Sequence, residues 1–541
     1  MLLRRTAAAV LSRYLSTTTK PFSKIPWKHR PKAIQESQKA LTDYLHATRS
    51  LPFLYADNIA RNSPQSLSKI VSEIPFSPPN FSSSFQRFLR YHPINELDFF
   101  FESIGLNCYE SKIPNTFFIS DIKHFDAACA LAGMGFPWSK LGLLCKDDFF
   151  IFESDPLDLK RKVTEIKNAY GFNRVILISI CLAFPRVLHI DDEMDGLLSD
   201  LKVLFLDYDL WSSFEDGDVD DVFDVCLKIK LFYDLGCEMG KIGKLIGQSK
   251  AILIEHKKDD LISKIDFFRK LDVRNDEIGV FLLSNPEIFS FDLGNRVVSV
   301  SGFLEHLGLS DNVLEPLKQK YPHVFGKNRV ANLPNVMRSL NLGEWFFRKM
   351  KNGDHSLLAT YTISCSPEEL DGHYKEGLIK IETKNTRLYV LKKLNFLHSI
   401  GFGENKFAIK ALWFLNSNDH HLHQRFYCLL RCGVEYSKAC LLVNVMPKIL
   451  NQHEKSIEKK IEYLCNDMGS NLDYLFVFPG YLCYDLEGRI KPRIKFHKWL
   501  TEKGLSRREY SLTTIIACSE KVFVKRLFRI NRDVAMMWLK E

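Results

Sequence analysis

The stretch YPHVFGKNRV, residues 321–330, sets Pro322 where an apolar helical run would otherwise continue. Proline lacks an N–H and restrains the residue before it, so a helix is expected to end there. The same stop recurs in FPRVL at Pro185, NPEIF at Pro286, MPKIL at Pro447 and FPGYL at Pro479. In every copy the second and third residues past the proline are large and apolar: Val187 and Leu188, Ile288 and Phe289, Val324 and Phe325, Ile449 and Leu450, Tyr481 and Leu482. A second pair lies four and five residues ahead of each proline, from Ile180 and Cys181 to Tyr474 and Leu475, which is the helical spacing of a core stripe. Only Lys318 breaks that pattern.

The stops are periodic. Gly171, Asp272, Gly308 and Gly433, each following an apolar residue and each a helix stopper, stand 14 residues ahead of their prolines. Stoppers at 236, 272, 308 and 343 are spaced by 36, 36 and 35 residues, and those at 433, 469 and 504 by 36 and 35. A fixed period of this length marks a repeat array. One unit reads as a helix, a turn and a second helix closed by proline. Such a hairpin cannot bury its apolar face alone, so units stack into an elongated solenoid. The Val- and Ile-rich stretches follow the helical period and no hairpin signal interrupts them, so the chain is expected to be all-α.

Tetratricopeptide units of similar length need a Trp, a Leu-Gly and a Tyr near their start, and these copies have at most the Leu-Gly. The spacing of stopper and Pro-x-[IV]-[FL], followed by YLCYDLEGRIKPR (481–493) and ACSEKVFVKRL (517–527), resembles the mitochondrial transcription termination factor family, the mTERF proteins, in its plant branch. The resemblance spans roughly residues 85–530 and is most specific in 268–326 and 428–527. It implies a superhelical solenoid of mTERF-type helical repeats, with two α-helices and a short 3-10 turn per repeat and a basic inner surface that holds nucleic acid. Repeat spacing by itself leads to the solenoid and not to that ligand.

Three places depart from the pattern. Lys250 occupies the proline slot ahead of Pro286, WSSFEDGDVDDVFD (211–224) reads as an acidic insertion, and residues 351–385 lose the register. The expected organisation is an organelle transit peptide over 1–35, a poorly ordered or irregular segment over 36–84, an N-terminal repeat array over 85–345, an irregular insertion over 346–390 and a basic C-terminal array over 391–535. Residues 1–35 contain no Asp or Glu, carry eight Lys or Arg and are rich in Ser, Thr and Ala, the composition of a transit peptide. Arg4, Arg5 and Arg13 interleave with apolar residues as in an amphipathic helix, which favours the mitochondrial matrix, with the chloroplast as the alternative. Cleavage is expected after Leu15. The longest apolar run, near 175–184, is too short to span a bilayer. Thirteen cysteines without a CxxC read as small buried residues and not as a disulfide framework.

Charge is unevenly spread. Of the formal +9, residues 1–35 contribute +8 and residues 486–541, with fourteen Lys or Arg against six Asp or Glu, another +8, which leaves the intervening chain near −7. A polyanion is therefore expected at the C-terminal end. In 520–534, Phe523, Leu527, Ile530 and Val534 form an apolar stripe, while Lys521, Lys525, Arg529 and Arg532 form a cationic one, with Arg526 beside it, so a single two-sided helix is expected. Just upstream, GRIKPRIKFHKW (488–499) supplies Arg489, Lys491, Arg493, Lys495 and Lys498, with Pro492 suited to the first turn of a helix whose free N–H groups could receive phosphate. A solvated surface is the ordinary reading of any one of these cations.

Other motifs are discounted. GKIGKLIGQSK (240–250) lacks the Lys-Ser/Thr ending of a phosphate-binding loop and reads as the glycine-rich second helix of its repeat. DHHLHQRFYCLLRC (419–432) groups His420, His421, His423, Cys428 and Cys432 without a standard zinc spacing. No catalytic residues, cofactor or metal site are expected. The expected function is that of a regulator of mitochondrial gene expression, a monomer binding double-stranded DNA to affect transcription termination or initiation. Binding of organelle RNA in intron splicing or transcript maturation is one alternative, and a protein-interaction scaffold is another. Organelle transcription or splicing proteins are possible partners, and membrane insertion is not expected.

Overall fold

The structure is a computed structural model and describes residues 22–23, 25–106, 122–189, 194–214, 218–294, 296–361, 371–505 and 510–540. Residues 1–21, with the arginines and the cleavage point of the expected transit peptide, lie outside the described residues, as do 215–217 of the acidic segment and 362–370. The chain is built of helical repeats and forms two compact units, Met1–Lys258 and Asp259–Glu541. Their division falls inside the stretch 85–345 that the proline spacing treats as one array. None of the helices among the described residues is long and apolar enough to cross a membrane.

Each proline stop has the same local geometry. The helices Arg174–Ala183, Asn275–Ser284, Asp311–Lys320, Tyr436–Val445 and Tyr474–Val477 end one residue before a pre-proline residue, and that residue leaves the helical region, with φ between −122° and −135° and ψ between 52° and 74°. Steric clash with the proline ring disfavours the helical conformation at this position. The carbonyl of that residue then accepts from the N–H of the residue three further on, at 3.1 Å for Val187, Val324, Ile449 and Tyr481 and 3.2 Å for Ile288. In four copies this bond opens a 3-10 turn, Pro185–Leu188, Pro286–Ser290, Pro447–Asn451 and Pro479–Cys483. The turn drives the paired apolar residues into the core: Val187 and Leu188, Ile288 and Phe289, Ile449 and Leu450, Tyr481 and Leu482 are all buried. Each aliphatic side chain so buried stabilises by about 1.5–3 kcal/mol.

The copy at Pro322 departs from the others. After Val324 the chain stays extended and Lys327–Arg329 pairs antiparallel with Val297–Ser299, Val298 facing Asn328, so an all-helical reading misses one short two-stranded ribbon. The reason lies beyond the repeat. Asn405 Nδ2 donates to the carbonyls of His323 (2.9 Å) and Phe325 (2.7 Å), Gly403 N–H donates to His323, and Glu404 N–H donates to Lys327, which holds 321–327 against 402–405. Gly326, at φ +148°, sits where a Cβ would come within 3.0 Å of Glu404 backbone atoms. The His323 ring is fully buried beside Phe402, neither ring nitrogen has a partner among the described residues, and burial pushes its pKa down to about 3.

The stoppers adopt left-handed backbone at Gly171, Gly236, Asp272, Gly308, Gly433, Gly469 and Gly504, which is how they end their helices. Position 343 is a correction. The left-handed residue there is Asn341, whereas Gly343 begins the next helix, Gly343–Lys351, and is small because a Cβ would lie 2.6 Å from the Leu271 carbonyl oxygen.

Two further expectations fail on local grounds. Residues 36–84, expected to be irregular, lie mostly in the helices Arg30–Arg49, Phe53–Asn62 and Pro64–Val71, with Phe81–Tyr91 following. Their apolar faces, including Leu41, Leu45, Ile59 and Leu67, are buried. In 346–390 the register is lost, but helices Leu357–Thr360 and Gly372–Glu382 still form.

A recurrent cation that the sequence patterns do not single out ties five of the hairpins shut. Lys228, Lys264, Lys393 and Arg425 each stand eight residues before a left-handed stopper, at 236, 272, 401 and 433, and Lys460 stands nine before 469. Lys228 Nζ donates to Leu253 O (2.8 Å), Arg425 to Leu450 O (2.7 Å) and Lys460 Nζ to Leu482 O (2.8 Å), each acceptor lying three residues past the proline slot of the same repeat. Lys264 donates to Phe291 O, five residues past Pro286, and Lys393 to Leu415 O, 14 residues past Gly401. The carbonyls at the end of a turn have no partner within the turn, and the cation supplies one. Burial lowers the pKa of Lys264 and Lys460, the sign of an ammonium held inside the repeat. Lys460→Met keeps the stem and removes the donor. It is expected to lower stability in urea unfolding by about 1–2 kcal/mol, against less than about 0.5 for Lys455→Met, on the exposed side of the same helix. Equal effects would refute the role given to Lys460.

Candidate nucleic-acid interface

The cations of 486–532 divide into two groups. Arg493 is 2 % exposed, and its guanidinium donates to the carbonyls of Ile515 (3.1 Å), Ile516 (3.2 Å) and Cys518 (2.7 Å) and to Glu520 Oε2 (2.6 Å), with its plane 4.7 Å from the Phe523 ring. Arg489 is half-buried over Tyr484 and donates to the carbonyls of Ile516 (2.9 Å) and Cys518 (2.6 Å). Arg526 is half-buried against Tyr510 and donates to Thr514 O (3.1 Å). These three converge on the C-terminal end of the helix Leu512–Ala517 and its exit, so their charge is spent on the fold. Arg493 also closes its repeat from within, though outside the spacing of the repeat cations, with the planar fork of Arg reaching several carbonyls at once.

The second group points to water. Lys495 and Lys498 on the helix Lys491–Glu502, and Lys521, Lys525 and Arg529 on Glu520–Ile530, are exposed, as is Arg532. Lys498 reaches the carbonyl of Asp467 at 3.4 Å, and none of the others has an ion-pair partner among the described residues. Lys491 is half-buried, 2.6 Å from Glu487 and over the Tyr463 ring. Lys491, Lys495 and Lys498 follow one helical face, and Lys521, Lys525 and Arg529 follow another, opposite the buried Phe523 and Leu527. Exposed Lys503, just past Lys491–Glu502, belongs with this group and was missed because it follows the apolar period instead of lying in it.

Two expectations about these helices need correction. The single helix expected over 520–534 is two, Glu520–Ile530 and Arg532–Lys540, divided at extended Asn531, whose Oδ1 accepts from Asp533 N–H at 2.8 Å. Asn is a strong N-cap, and Val534 stays buried because the second helix folds back, with Trp538 4.9 Å from Phe523. Arg532 therefore opens a new helix and does not extend the stripe of Lys521. Pro492 lies in the first turn of Lys491–Glu502, but a π-helical turn, Leu486–Ile490, runs directly into it. Asp485 caps that turn by accepting from Gly488 N–H at 2.8 Å, so a carboxylate already occupies the start where phosphate was expected.

The glycine-rich segment is closed in the same way. The helix Gly243–Gln248 begins on the buried Asp200 carboxylate, which accepts from Gly240 N–H (2.7 Å), Gly243 N–H (2.8 Å) and Tyr233 OH (2.9 Å). In 419–432, Cys428 is buried while His423 bonds to Ser399 Oγ at 2.9 Å, and among the described residues no group suited to holding a metal is found.

Comparison with known proteins fits this architecture. The mTERF family model matches residues 211–343 and 382–524. A protein of Arabidopsis thaliana named transcription termination factor MTEF18, mitochondrial, is 42 % identical over 548 residues, covering 100 % of this chain and 98 % of that protein. The chain belongs to the mTERF family. Other mTERF relatives match shorter stretches. Arabidopsis transcription termination factor MTERF8, chloroplastic, is 24 % identical over 53 % of this chain and 52 % of its own length. Arabidopsis transcription termination factor MTERF15, mitochondrial, is 33 % identical over 18 % of this chain and 22 % of its own. As an mTERF protein the chain is an all-α helical-repeat protein. Lys525, Arg529 and Arg532 lie beyond the end of the family match at 524.

Proposed function

We propose that this mTERF protein is a nucleic-acid-binding regulator of mitochondrial gene expression that acts by occupancy, gripping phosphates with the exposed cations of its last repeats. The observation that carries this reading is the row Lys521, Lys525 and Arg529, exposed and free of acidic partners among the described residues while neighbouring arginines are consumed by the fold. Flexible cations of this kind supply affinity without reading sequence. The composition of residues 1–35 and the mitochondrial relative at 42 % identity support the compartment. Duplex DNA at sites of transcription termination or initiation is the preferred ligand, because the relatives carry the name of transcription termination factors. Organelle RNA, bound in splicing or transcript maturation, offers the same phosphates. Neither ligand requires a catalytic group.

A protein-interaction scaffold is the second reading, favoured by Phe414, Val445 and Val477, which are exposed near the ends of successive second helices. Salt separates the two. Affinity of the full chain for duplex DNA, single-stranded DNA and RNA of one sequence is measured between about 50 and 200 mM salt. A log–log slope of about −3 or steeper is expected for the preferred nucleic acid. A flat dependence, or no binding to any of the three, would leave the scaffold standing instead. Crosslinking in isolated mitochondria, with both DNA and RNA sequenced, then assigns the ligand.

A further inference from the structure

The N-terminal helices, outside both family-matched segments, enclose a cleft of about 510 Å³ between Arg30–Arg49 and Phe81–Tyr91. That size lies within the roughly 300–1,000 Å³ typical of small-ligand sites. Its floor is small and apolar, with Ala40 and Leu89 buried. Two tyrosines line it: Tyr44, whose hydroxyl is turned to Glu96 (3.3 Å), and Tyr91, 70 % exposed. The Glu96 carboxylate is also held by Arg49 Nε at 2.5 Å, so this acid and this base satisfy each other. Two charged lining groups remain. Arg90 and Asp43, on opposite helices, are exposed and have no hydrogen-bond or ion-pair partner among the described residues.

We propose that this cleft binds a single nucleotide, with Arg90 on its phosphate, the flat base against the Ala40–Leu89 floor and Tyr91, and Asp43 accepting from an exocyclic amine of the base. A free cation, a mixed lining with the exposed Tyr91 ring beside it and a free carboxylate suit a ligand that is anionic at one end, flat in the middle and a hydrogen-bond donor at the other. A nucleotide with an amine-bearing base has all three. Arg offers a forked donor to phosphate, and an aromatic ring receives the face of any base. The site takes a free nucleotide or an unpaired nucleotide of a strand, and it is independent of the C-terminal cations.

The test is calorimetric titration of the full chain with CMP, AMP, UMP and cytidine. Saturable binding of CMP and AMP is expected, with UMP weaker because its base presents a carbonyl where cytosine presents an amine. Cytidine, lacking phosphate, is expected to bind weakly. Arg90→Ala should weaken CMP by about ten- to a hundredfold, and Asp43→Ala should erase the preference of CMP over UMP. Both residues are exposed, so these variants are expected to fold normally. Replacing Lys521, Lys525, Arg529 and Arg532 should leave CMP binding unchanged, which separates failure here from failure of the C-terminal interface. Absence of CMP binding, equal binding of UMP and CMP, or CMP affinity unaltered by Arg90→Ala would each overturn the proposal. Single-stranded RNA and DNA ending in cytidine monophosphate then show whether the nucleotide is taken free or from a chain end, each being a form of the same site.

Discussion

Arg493→Met is expected to destabilise the C-terminal unit by about 2–3 kcal/mol, the loss of charge-assisted hydrogen bonds to buried carbonyls, since the carboxylate left behind, Glu520, is largely exposed. The guanidinium serves three carbonyls and one carboxylate from a position that is 2 % exposed. The Ile515 carbonyl would keep only the weak Cys518 thiol donor at 3.5 Å, whereas Arg489 still holds those of Ile516 and Cys518. Glu520 would keep the indole N–H of Trp538 at 2.6 Å but lose its cation. Burial alone would raise the Glu520 pKa, yet the bonds from Trp538 and Arg493 hold it below the ordinary glutamate value. Arg493→Lys should recover less than half the loss, since an ammonium cannot span several acceptors as a planar fork does. Urea unfolding followed at Trp499 and Trp538 reads the effect, with exposed Lys525→Gln as the control at under about 0.5 kcal/mol. A loss no greater than the control's would mean that Arg493 does not hold the last repeat together.

The same residue shows where sequence reading succeeds and where it stops. Proline turns and left-handed stoppers are legible because each acts on its own φ and ψ: five pre-proline residues share one backbone geometry, and four of the five copies go on to the same 3-10 turn. The substitution of Asn341 for Gly343 as the stopper escapes the same reasoning because Asn also tolerates the left-handed region while Gly is used at 343 for close packing. The break at Asn531 is hidden by its own consequence: the second helix folds back, so the buried positions continue the spacing of the first. What a charge does is the least legible. Arg493 and Lys495 stand two residues apart in one basic run, yet a rotation of about 200° along the helix puts one in the core and the other in water. A signal was present all the same. A Lys or Arg eight or nine residues ahead of the stopper recurs at 228, 264, 393, 425 and 460, inside helices whose other face is apolar. Spacing alone does not decide the matter, since exposed Lys495 stands nine residues ahead of Gly504 and buried Arg493 eleven; burial divides the cations bonded within the fold from those open to a partner.

That division decides the second expected result. Replacing Lys521, Lys525, Arg529 and Arg532 together with Gln is expected to lower nucleic-acid affinity by about a hundredfold or more near physiological salt and to reduce the salt slope by up to about 3, since each lost phosphate contact removes roughly 0.7–0.9 of it. Stability should hardly change, because all four side chains are exposed. Arg526→Gln, one residue from Lys525, should do the reverse: its guanidinium is committed to Thr514 O and the Tyr510 ring, so its loss weakens the helix pair and leaves the slope nearly intact. Affinity is measured by fluorescence anisotropy across a salt series, and stability by urea unfolding of the same variants. If the quadruple variant keeps the slope of the parent, the polyanion is held elsewhere. If Arg526→Gln flattens it as much as the exposed cations do, burial is no guide to which charges in this repeat array meet phosphate.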